Sequence, residues 1–289
     1  MVMNKYKAFN IVRWIVSYAI ILIVVLFAVF PLYYIVITSF SKLTSLANLT
    51  LSSLIPSISD FTFSAYQYVF ASSFILWLRN SLILAVGTLA VAVSVAFVSG
   101  IALSRLNVPG KKSLIVFLYI LTFFPFTAIV IPLFLGFSTL GLLNNYLGLI
   151  LIYASGTAIF GAYMSKLFID SIPKEYEEAA MVDGQSRFKS FFTVIFRIAR
   201  PVIIFISLLA FIGAYTDYAV VNVFITKGSL YTLMMGLFHI SAIGNTSAVG
   251  AVNLNVFSAF SLLMGLPILI FYIIFQKYLT QMYTMSGTK

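Results

Sequence analysis

Cysteine is absent from this 289-residue chain, and histidine occurs once, at His239. Without cysteine the chain forms no disulfide, no thiol nucleophile and no cysteine-ligated metal centre. One histidine is too few for a histidine-based zinc site. The sequence therefore predicts no metal site in this chain.

Charge is also scarce. The chain has 17 Lys and Arg, seven Asp and Glu, and 8 % charged residues in all, against 62 % hydrophobic residues. A soluble domain has about 25 % charged and about 45–50 % apolar residues. We therefore expect a multi-pass protein of the cell membrane. The uncharged run at 14–41 far exceeds the apolar region of a signal peptide, about 7–15 residues, and predicts a retained first span.

The uncharged stretches give the predicted spans, because a charge in mid-bilayer costs at least about 2.5–3.5 kcal/mol. Six stretches are long enough to cross a hydrocarbon core about 30 Å thick. They cover residues 14–40, 80–104, 113–135, 146–168, 201–226 and 250–276. They predict one all-helical transmembrane domain over residues 1–289. The apolar run at 230–243 is too short to cross unaided and is predicted to be re-entrant or interfacial.

The positive charges give the predicted orientation. With six spans and a cytoplasmic N-terminus, fourteen Lys and Arg lie on the cytoplasmic side and three lie outside. A seventh span would export Lys277 and Lys289 and weaken this asymmetry. We therefore predict that both termini are cytoplasmic and that residues 169–200 form a cytoplasmic loop.

This loop contains the stretch "PKEYEEAAMVDGQSRFKSFF", in which seven charges fall within sixteen positions. The pattern predicts two short helices: Asp170 or Ser171 would cap the first, Gly184 would end it, and Ser186 would cap the second. Composition alone makes such a pair a solvated connector. A face of small apolar residues ringed by charge would instead suit docking into a groove of another protein. That face comprises Tyr176, Ala179, Ala180 and Val182 in the first helix, and in the second helix Phe188, Phe191, Phe192 and Ile195 are expected on one face.

The letters "EEAAMVDG" and then "FKSFFTVIFRIARP" resemble the EAA loop in permease subunits of binding-protein-dependent ABC importers. That pattern is Glu-Ala-Ala, three residues, Gly, nine residues, then Ile-x-Leu-Pro. The residues that match it are Glu178, Ala179, Ala180 and Gly184, with Val194 at the Ile position. Phe196 and Arg197 depart from the Leu and the Pro, which affects the exit of the loop rather than its docking face.

The resemblance extends over residues 80–289 and is closest to the second permease subunit of maltose-type carbohydrate importers. It includes "NSLILAVGTLAVAVSVAFVSGIALSRLNVPGKK" and "FIGAYTDYAVVNVFITKGSLYTLMMGL". It implies a type I ABC importer permease fold that carries a sugar or oligosaccharide. The implied partners are a second permease, two ATPase subunits that use ATP and Mg, and an extracytoplasmic solute-binding protein; this chain itself would bind no cofactor. The implied ATPase-coupling residues are Tyr176, Glu178, Ala179, Ala180, Val182, Asp183 and Gly184.

The chain is not expected to hydrolyse ATP. In the nearest imitation of a phosphate-binding loop, "RLNVPGKKS", Arg105 replaces the first Gly and Lys112 replaces the Ser or Thr. The chain is therefore predicted to be a non-catalytic subunit without catalytic residues.

Asp217 is the only acid inside a predicted span. Such a residue either lines a substrate pathway or gate, with Tyr215 and Asn222 as companions, or makes a structural contact, and the residues leave both open. Other functions also stay open: import of a polyamine, phosphate or glycerol phosphate, ATP-independent secondary transport, and membrane scaffolding. A secondary transporter should show an internal repeat and paired intramembrane charges, and the sequence shows neither.

Overall fold

The structure, a computed structural model, describes residues 2–42, 58–107, 109–123, 126–243 and 253–286. Every regular element in these ranges is helical, which confirms the predicted all-helical class. The chain divides into two compact units, Met1–Ser72 with His239–Leu263 and Ser73–Phe238 with Met264–Lys289. In chain order the α-helices are α1 Val2–Ser39, α2 Ser64–Ala71, α3 Phe74–Arg105, α4 Lys111–Leu121, α5 Phe126–Thr139, α6 Tyr146–Asp170, α7 Glu175–Val182, α8 Arg187–Ser190, α9 Phe196–Ile198, α10 Arg200–Thr216, α11 Ala219–Phe224, α12 Leu233–Ile243 and α13 Leu254–Ser286.

Among the described residues, four helical stretches are long and apolar enough to cross a membrane: 12–39 in α1, α3, α6 and 254–278 in α13. A fifth crossing is possible where residues 187–198 and α10 form a pair bent by 75°. The structure therefore shows four or five candidate spans by length and composition. The six-span count and the cytoplasmic position of both termini stay predictions.

Two predicted spans are interrupted. The stretch at 113–135 falls on α4 and α5, which have 11 and 14 residues and are separated by a turn at Thr122 and Phe123. The stretch at 201–226 is helical only to Thr216, and a new helix, α11, begins at Ala219. Uncharged length identifies an apolar segment but does not reveal where its helix breaks.

In the first unit, a cluster of aromatic rings lies at the C-terminal end of α1. Phe40 stacks on Phe61 with ring centroids 4.9 Å apart, and Tyr66 lies 5.0 Å from Phe40. The Tyr66 hydroxyl also lies 2.9 Å from Ser39 Oγ. These contacts tie the segment after residue 58 to the end of α1.

In the second unit, α3 and α6 approach closely because small residues face each other. A Cβ on Gly100 would overlap the Cβ of Ser165, and a Cβ on Gly161 would lie 2.8 Å from the Cβ of Ala96. Small residues allow membrane helices to pack backbone against backbone. At this end of the unit, α3, α6 and α10 share a buried apolar cluster with the loop after α6, including Phe97, Ile169, Phe191, Ile195 and Ile206.

The short apolar run at 230–243 forms α12 from Leu233 and packs against the start of α3. The amide of Asn80 donates to the carbonyls of Ser229 and Tyr231 at 3.0 and 2.9 Å. The Leu233 N–H donates to Ser81 Oγ at 2.8 Å. These bonds satisfy backbone groups next to a helix too short to span, as an apolar environment requires. Its re-entrant or interfacial position in the membrane stays a prediction.

We expect Gly100→Ala to lower stability, because the added methyl overpacks the contact with Ser165, a change that typically costs about 1–3 kcal/mol. The measurement is the temperature of half-unfolding in detergent. Gly156→Ala in α6 is the matched control, since its Cβ meets no atom within 4 Å. Adding Ser165→Gly should recover part of the loss. Equal unfolding temperatures for Gly100→Ala and Gly156→Ala would contradict the close packing described here.

Candidate functional site

The first loop helix, α7, begins without a side-chain cap. Its Ncap residue is Lys174, whose carbonyl accepts from the N–H groups of Glu177 and Glu178 at 2.9 and 3.0 Å. The expectation that Asp170 or Ser171 caps this helix is wrong, because both are engaged elsewhere. Ser171 Oγ donates to the carbonyl of Phe168, and Asp170 accepts from Ser104 Oγ at 2.6 Å and pairs with Lys166.

The end of α7 is the predicted glycine turn. Gly184 has a φ of +83°, in the left-handed region that glycine favours. Its N–H donates to the carbonyl of Met181 and the N–H of Gln185 donates to that of Ala180, each at 3.0 Å. This pair of bonds is the Schellman motif. The prediction that Gly184 ends the helix is therefore confirmed.

The second loop helix begins at the predicted cap, since Ser186 Oγ accepts from the Lys189 N–H at 3.3 Å. The expectation of one apolar face is wrong. Phe191 and Ile195 are buried, whereas Phe188 and Phe192 are exposed with ring centroids 5.1 Å apart. A π-helical turn at Phe191–Ile195 interrupts the α-helical spacing that the prediction assumed.

The structure exposes most of the predicted docking residues on α7 and its C-terminal turn. Val182 is the most exposed of them, at 88 %. Ala180 differs from the expectation: it is buried within the chain, and its side chain is therefore not part of the exposed surface. The exposed members are Tyr176, Glu178, Ala179, Val182, Asp183 and Gly184. We call these six residues the α7 surface.

A buried ion pair holds α7 to the end of α3. Arg105 Nε lies 2.5 Å from Glu177 Oε1, and the two side chains are 4 % and 6 % exposed. Arg105 Nη2 also donates to the carbonyl of Ile172 at 2.8 Å. This pair is not among the contacts predicted from the sequence. No local spacing points to it, because Arg105 and Glu177 are 72 residues apart and the helical pattern does not identify which face of α7 is buried.

Asp217 lies where α10 ends and is half-buried. Its Oδ1 accepts from the Val220 N–H at 2.8 Å, from the Val221 N–H at 3.4 Å and from the Tyr153 hydroxyl at 2.9 Å. The carboxylate therefore satisfies the first amides of α11 and links this break to α6. These are the contacts of a structural residue, made at a helix break inside an apolar segment.

The two expected companions of Asp217 do not share a surface with each other. Tyr215 is fully buried, and its hydroxyl donates to the carbonyl of Met264 at 3.0 Å. Asn222 is exposed on α11. In this conformation Tyr215 therefore packs in the core rather than lining an open path, and a pathway role for Asp217 and Asn222 stays a prediction.

The fold and the site together define a multi-pass helical membrane protein with an exposed, capped helix in a charged loop. Residues 92–284 match the family described as the binding-protein-dependent transport system inner membrane component. The chain belongs to this family of ABC transporter permeases, whose members lie in the plasma membrane. This finding confirms the resemblance drawn from the EAA pattern and the predicted membrane location.

Curated relatives match along much of the chain. The galactooligosaccharides transport system permease protein GanQ of Bacillus subtilis (strain 168) is 28 % identical over 98 % of both chains. The maltodextrin transport system permease protein MalD of Streptococcus pneumoniae (strain ATCC BAA-255 / R6) is 30 % identical over 80 % of this chain and 81 % of that protein. Both relatives are named as transport permeases.

The fold is also that of a solved membrane transporter chain. That solved chain belongs to a bacterial ABC transporter involved in the import of the acidic polysaccharide alginate. The likeness has a TM-score of 0.79 at 24 % identity and covers 92 % of this chain and 96 % of that one. At this identity the likeness shows the fold alone.

We expect Asp217→Ala to lower the temperature of half-unfolding, because losing a helix-capping acceptor costs about 1 kcal/mol. Asp217→Asn should unfold close to the unmodified chain, since an amide oxygen also accepts from the Val220 and Val221 N–H groups. The measurement is thermal unfolding in detergent. Equal stability of the Ala variant and the unmodified chain would contradict the capping role.

Proposed function

We propose that this chain is one permease subunit of an ATP-driven importer for a sugar or oligosaccharide. It forms half of the translocation pathway with a second permease and receives its solute from an extracytoplasmic binding protein. The α7 surface docks on one of two ATPase subunits, which bind ATP and Mg. The observation that carries the proposal is an exposed helix in a membrane protein of this family, held at both ends by defined hydrogen bonds.

The geometry of α7 supports docking on a protein rather than exposure to water. Tyr176 and Val182 are exposed apolar residues on a helix whose buried side is fixed by Glu177 and Ala180. A helix that presents apolar groups on a rigid base suits a groove in a partner. Exposed acids, Glu178 and Asp183, edge these apolar residues and would set the orientation of docking.

The relatives support the class of solute. Their names specify galactooligosaccharides and maltodextrin, and the solved transporter with the similar fold imports alginate. A second alginate transporter structure, matched at a TM-score of 0.57, was solved with a pentasaccharide-bound periplasmic protein. These names favour a saccharide over the alternatives of polyamine, phosphate and glycerol phosphate.

The proposed mechanism is mechanical. When ATP closes the ATPase dimer, the docked loop moves with its ATPase subunit. The helices joined to the loop then move, and the translocation pathway changes from inward-open to outward-open. This chain contributes binding and transmission, and the partner subunits hydrolyse ATP. Asp217, at the break between α10 and α11, is placed in this proposal at the pathway or its outer gate, with Asn222 nearby in sequence on α11.

The docking role is tested by purifying the tagged chain from mild detergent and quantifying the recovered ATPase. Glu178→Lys reverses a charge on the α7 surface, and Gly184→Asp strains a left-handed turn. We expect each to reduce recovered ATPase about tenfold, equivalent to ~1.4 kcal/mol, with membrane insertion unchanged.

The matched control for the glycine variant is Gly110→Asp. Gly110 also has a positive φ, +72°, and open space around its Cβ, but it lies outside the loop. It should recover ATPase normally. Normal recovery by both Glu178→Lys and Gly184→Asp would reject the docking surface, and an unmodified chain that purifies alone from a host making all partners would reject the importer. The ligand retained by the copurified binding protein identifies the solute class.

We expect Asp217→Asn to lower uptake of tritiated maltotriose or galactotriose about tenfold, a barrier change of roughly 1.4 kcal/mol, with assembly unchanged. The substitution keeps the hydrogen-bond acceptor and removes only the charge. The measurement is initial uptake into proteoliposomes that contain the full complex. Full uptake by this variant would assign Asp217 to helix capping alone.

A further inference from the structure

We propose that the segment at 187–200, which joins the charged loop to α10, is a lipid-binding surface. Its outward face combines exposed phenylalanines with positive charges and takes anionic phospholipids from the leaflet on the predicted cytoplasmic side. The inference goes beyond the proposed function, because it depends neither on the solute nor on docking of an ATPase.

Three exposed phenylalanines recur every four residues in this segment. Phe188 is 72 % exposed, Phe192 45 % and Phe196 40 %, and we call these three residues the phenylalanine stripe. The rings of Phe188 and Phe192 lie 5.1 Å apart. On the other side of the segment, Phe191 and Ile195 are packed into the buried cluster with α3, α6 and α10. One face therefore fixes the segment to the helices, and the stripe points outward.

The contact between Phe196 and α3 places the stripe beside the membrane. The ring of Phe196 packs edge to face on the ring of Phe97, with centroids 5.4 Å apart. Phe97 lies inside the charge-free stretch 80–104 of this candidate span, about two turns before Arg105. The next residue, Val98, is 56 % exposed on the same helix. A side chain at this level of α3 lies at the edge of the hydrocarbon core rather than in bulk water.

The bend before α10 directs the stripe along the membrane surface. Residues 187–198 are bent by 75° from α10. Transmembrane helices tilt by about 20° on average from the bilayer normal. With α10 crossing the bilayer at such a tilt, residues 187–198 run close to the membrane plane. Helices that lie in this plane bury aromatic side chains about 5–10 Å into the boundary between headgroups and acyl chains.

Four exposed cations accompany the stripe, and no Asp or Glu occurs between residues 184 and 200. The cations are Arg187, Lys189, Arg197 and Arg200. Among the described residues none of the four makes an ion pair, although Arg187 donates to the carbonyl of Arg105 at 3.3 Å. Clusters of Lys and Arg directly next to a span attract anionic lipids. The uncompensated charge therefore favours an anionic headgroup over a neutral one.

Charge also separates this face from the α7 surface. The α7 surface carries the acids Glu178 and Asp183, which would repel an anionic headgroup. The stripe leads directly into α10 and contacts α3, whereas the α7 surface ends at the turn of Gly184. The two surfaces therefore suit different partners, a protein at α7 and lipid at the stripe. Coverage of the stripe by a protein is the competing outcome in the experiment.

The experiment uses a bimane fluorophore on a single cysteine, since the chain has no cysteine of its own. Phe192→Cys places the fluorophore on the stripe, and Val182→Cys places it on the α7 surface as the matched control. The full chain is purified with the subunits that stay bound to it, whose cysteines are replaced. It is placed in phosphatidylcholine vesicles with about one third phosphatidylglycerol, and quenching by lipids that carry a nitroxide is measured.

We expect a nitroxide next to the headgroup to quench the Phe192→Cys fluorophore more than a nitroxide at the end of the acyl chain, because an interfacial side chain lies about 5–10 Å deep. The Val182→Cys fluorophore should be quenched by neither lipid, whether it faces water or a docked subunit. Quenching at position 192 no stronger than at position 182 overturns the inference, since the stripe would then face water or protein.

The choice of headgroup is tested with the same fluorophore. At a low mole fraction, spin-labelled phosphatidylglycerol should bind beside Phe192→Cys with about fivefold preference over spin-labelled phosphatidylcholine. Lys189→Gln/Arg197→Gln should remove most of this preference, and so should high salt. Lys112→Gln/Lys174→Gln, which removes two exposed cations outside this segment, is the matched control and should keep it. Equal quenching by the two lipids, or equal loss of preference in the two double variants, overturns the inference.

Discussion

The close approach of α3 and α6 is the constraint on which the rest of the second unit depends. Gly100 and Gly161 leave only the small side chains of Ser165 and Ala96 opposite them, so the helices approach closely and their ends are also near each other. That proximity places Ser104 within hydrogen-bond distance of Asp170 and lets Arg105 reach the loop that follows α6. The position of α7 is therefore a consequence of small residues more than one helical turn away.

The scarcity of charge gives each buried charge a defined task. Among apolar side chains, a carboxylate is stable only where an opposite charge or hydrogen-bond donors reach it. Glu177 meets this requirement through Arg105, and Asp217 meets it through two backbone amides and a tyrosine hydroxyl. Both acids lie where a regular helix begins or ends. These two acids therefore lie at the joints of the structure rather than in the interiors of its helices.

The sequence predicts local features well where one residue determines the backbone. Gly184 and Ser186 are found in the predicted turn and cap, and α6 begins at the predicted Tyr146. It fails where the outcome depends on contacts between distant segments. Arg105 of α3 pairs with Glu177 of α7, Ser104 of α3 donates to Asp170 of α6, and the break at Asp217 requires donors from both α6 and α11. The predicted docking residues are exposed apart from Ala180, whose burial depends on tertiary packing that helical periodicity alone does not specify.

The helix break at Asp217 and the bend at Ala199 bound α10 on both sides. Between these two interruptions, α10 is packed at both ends and in its middle. Val202 joins it to the loop cluster, Ala210 lies in a buried cluster with residues of α3 and α6, and Asp217 at its end accepts from Tyr153 of α6. Alternating access requires some helices to move relative to others. In this chain α3, α6 and α10 share buried contacts, so a tilt of α10 relative to the other two helices would have to break that packing.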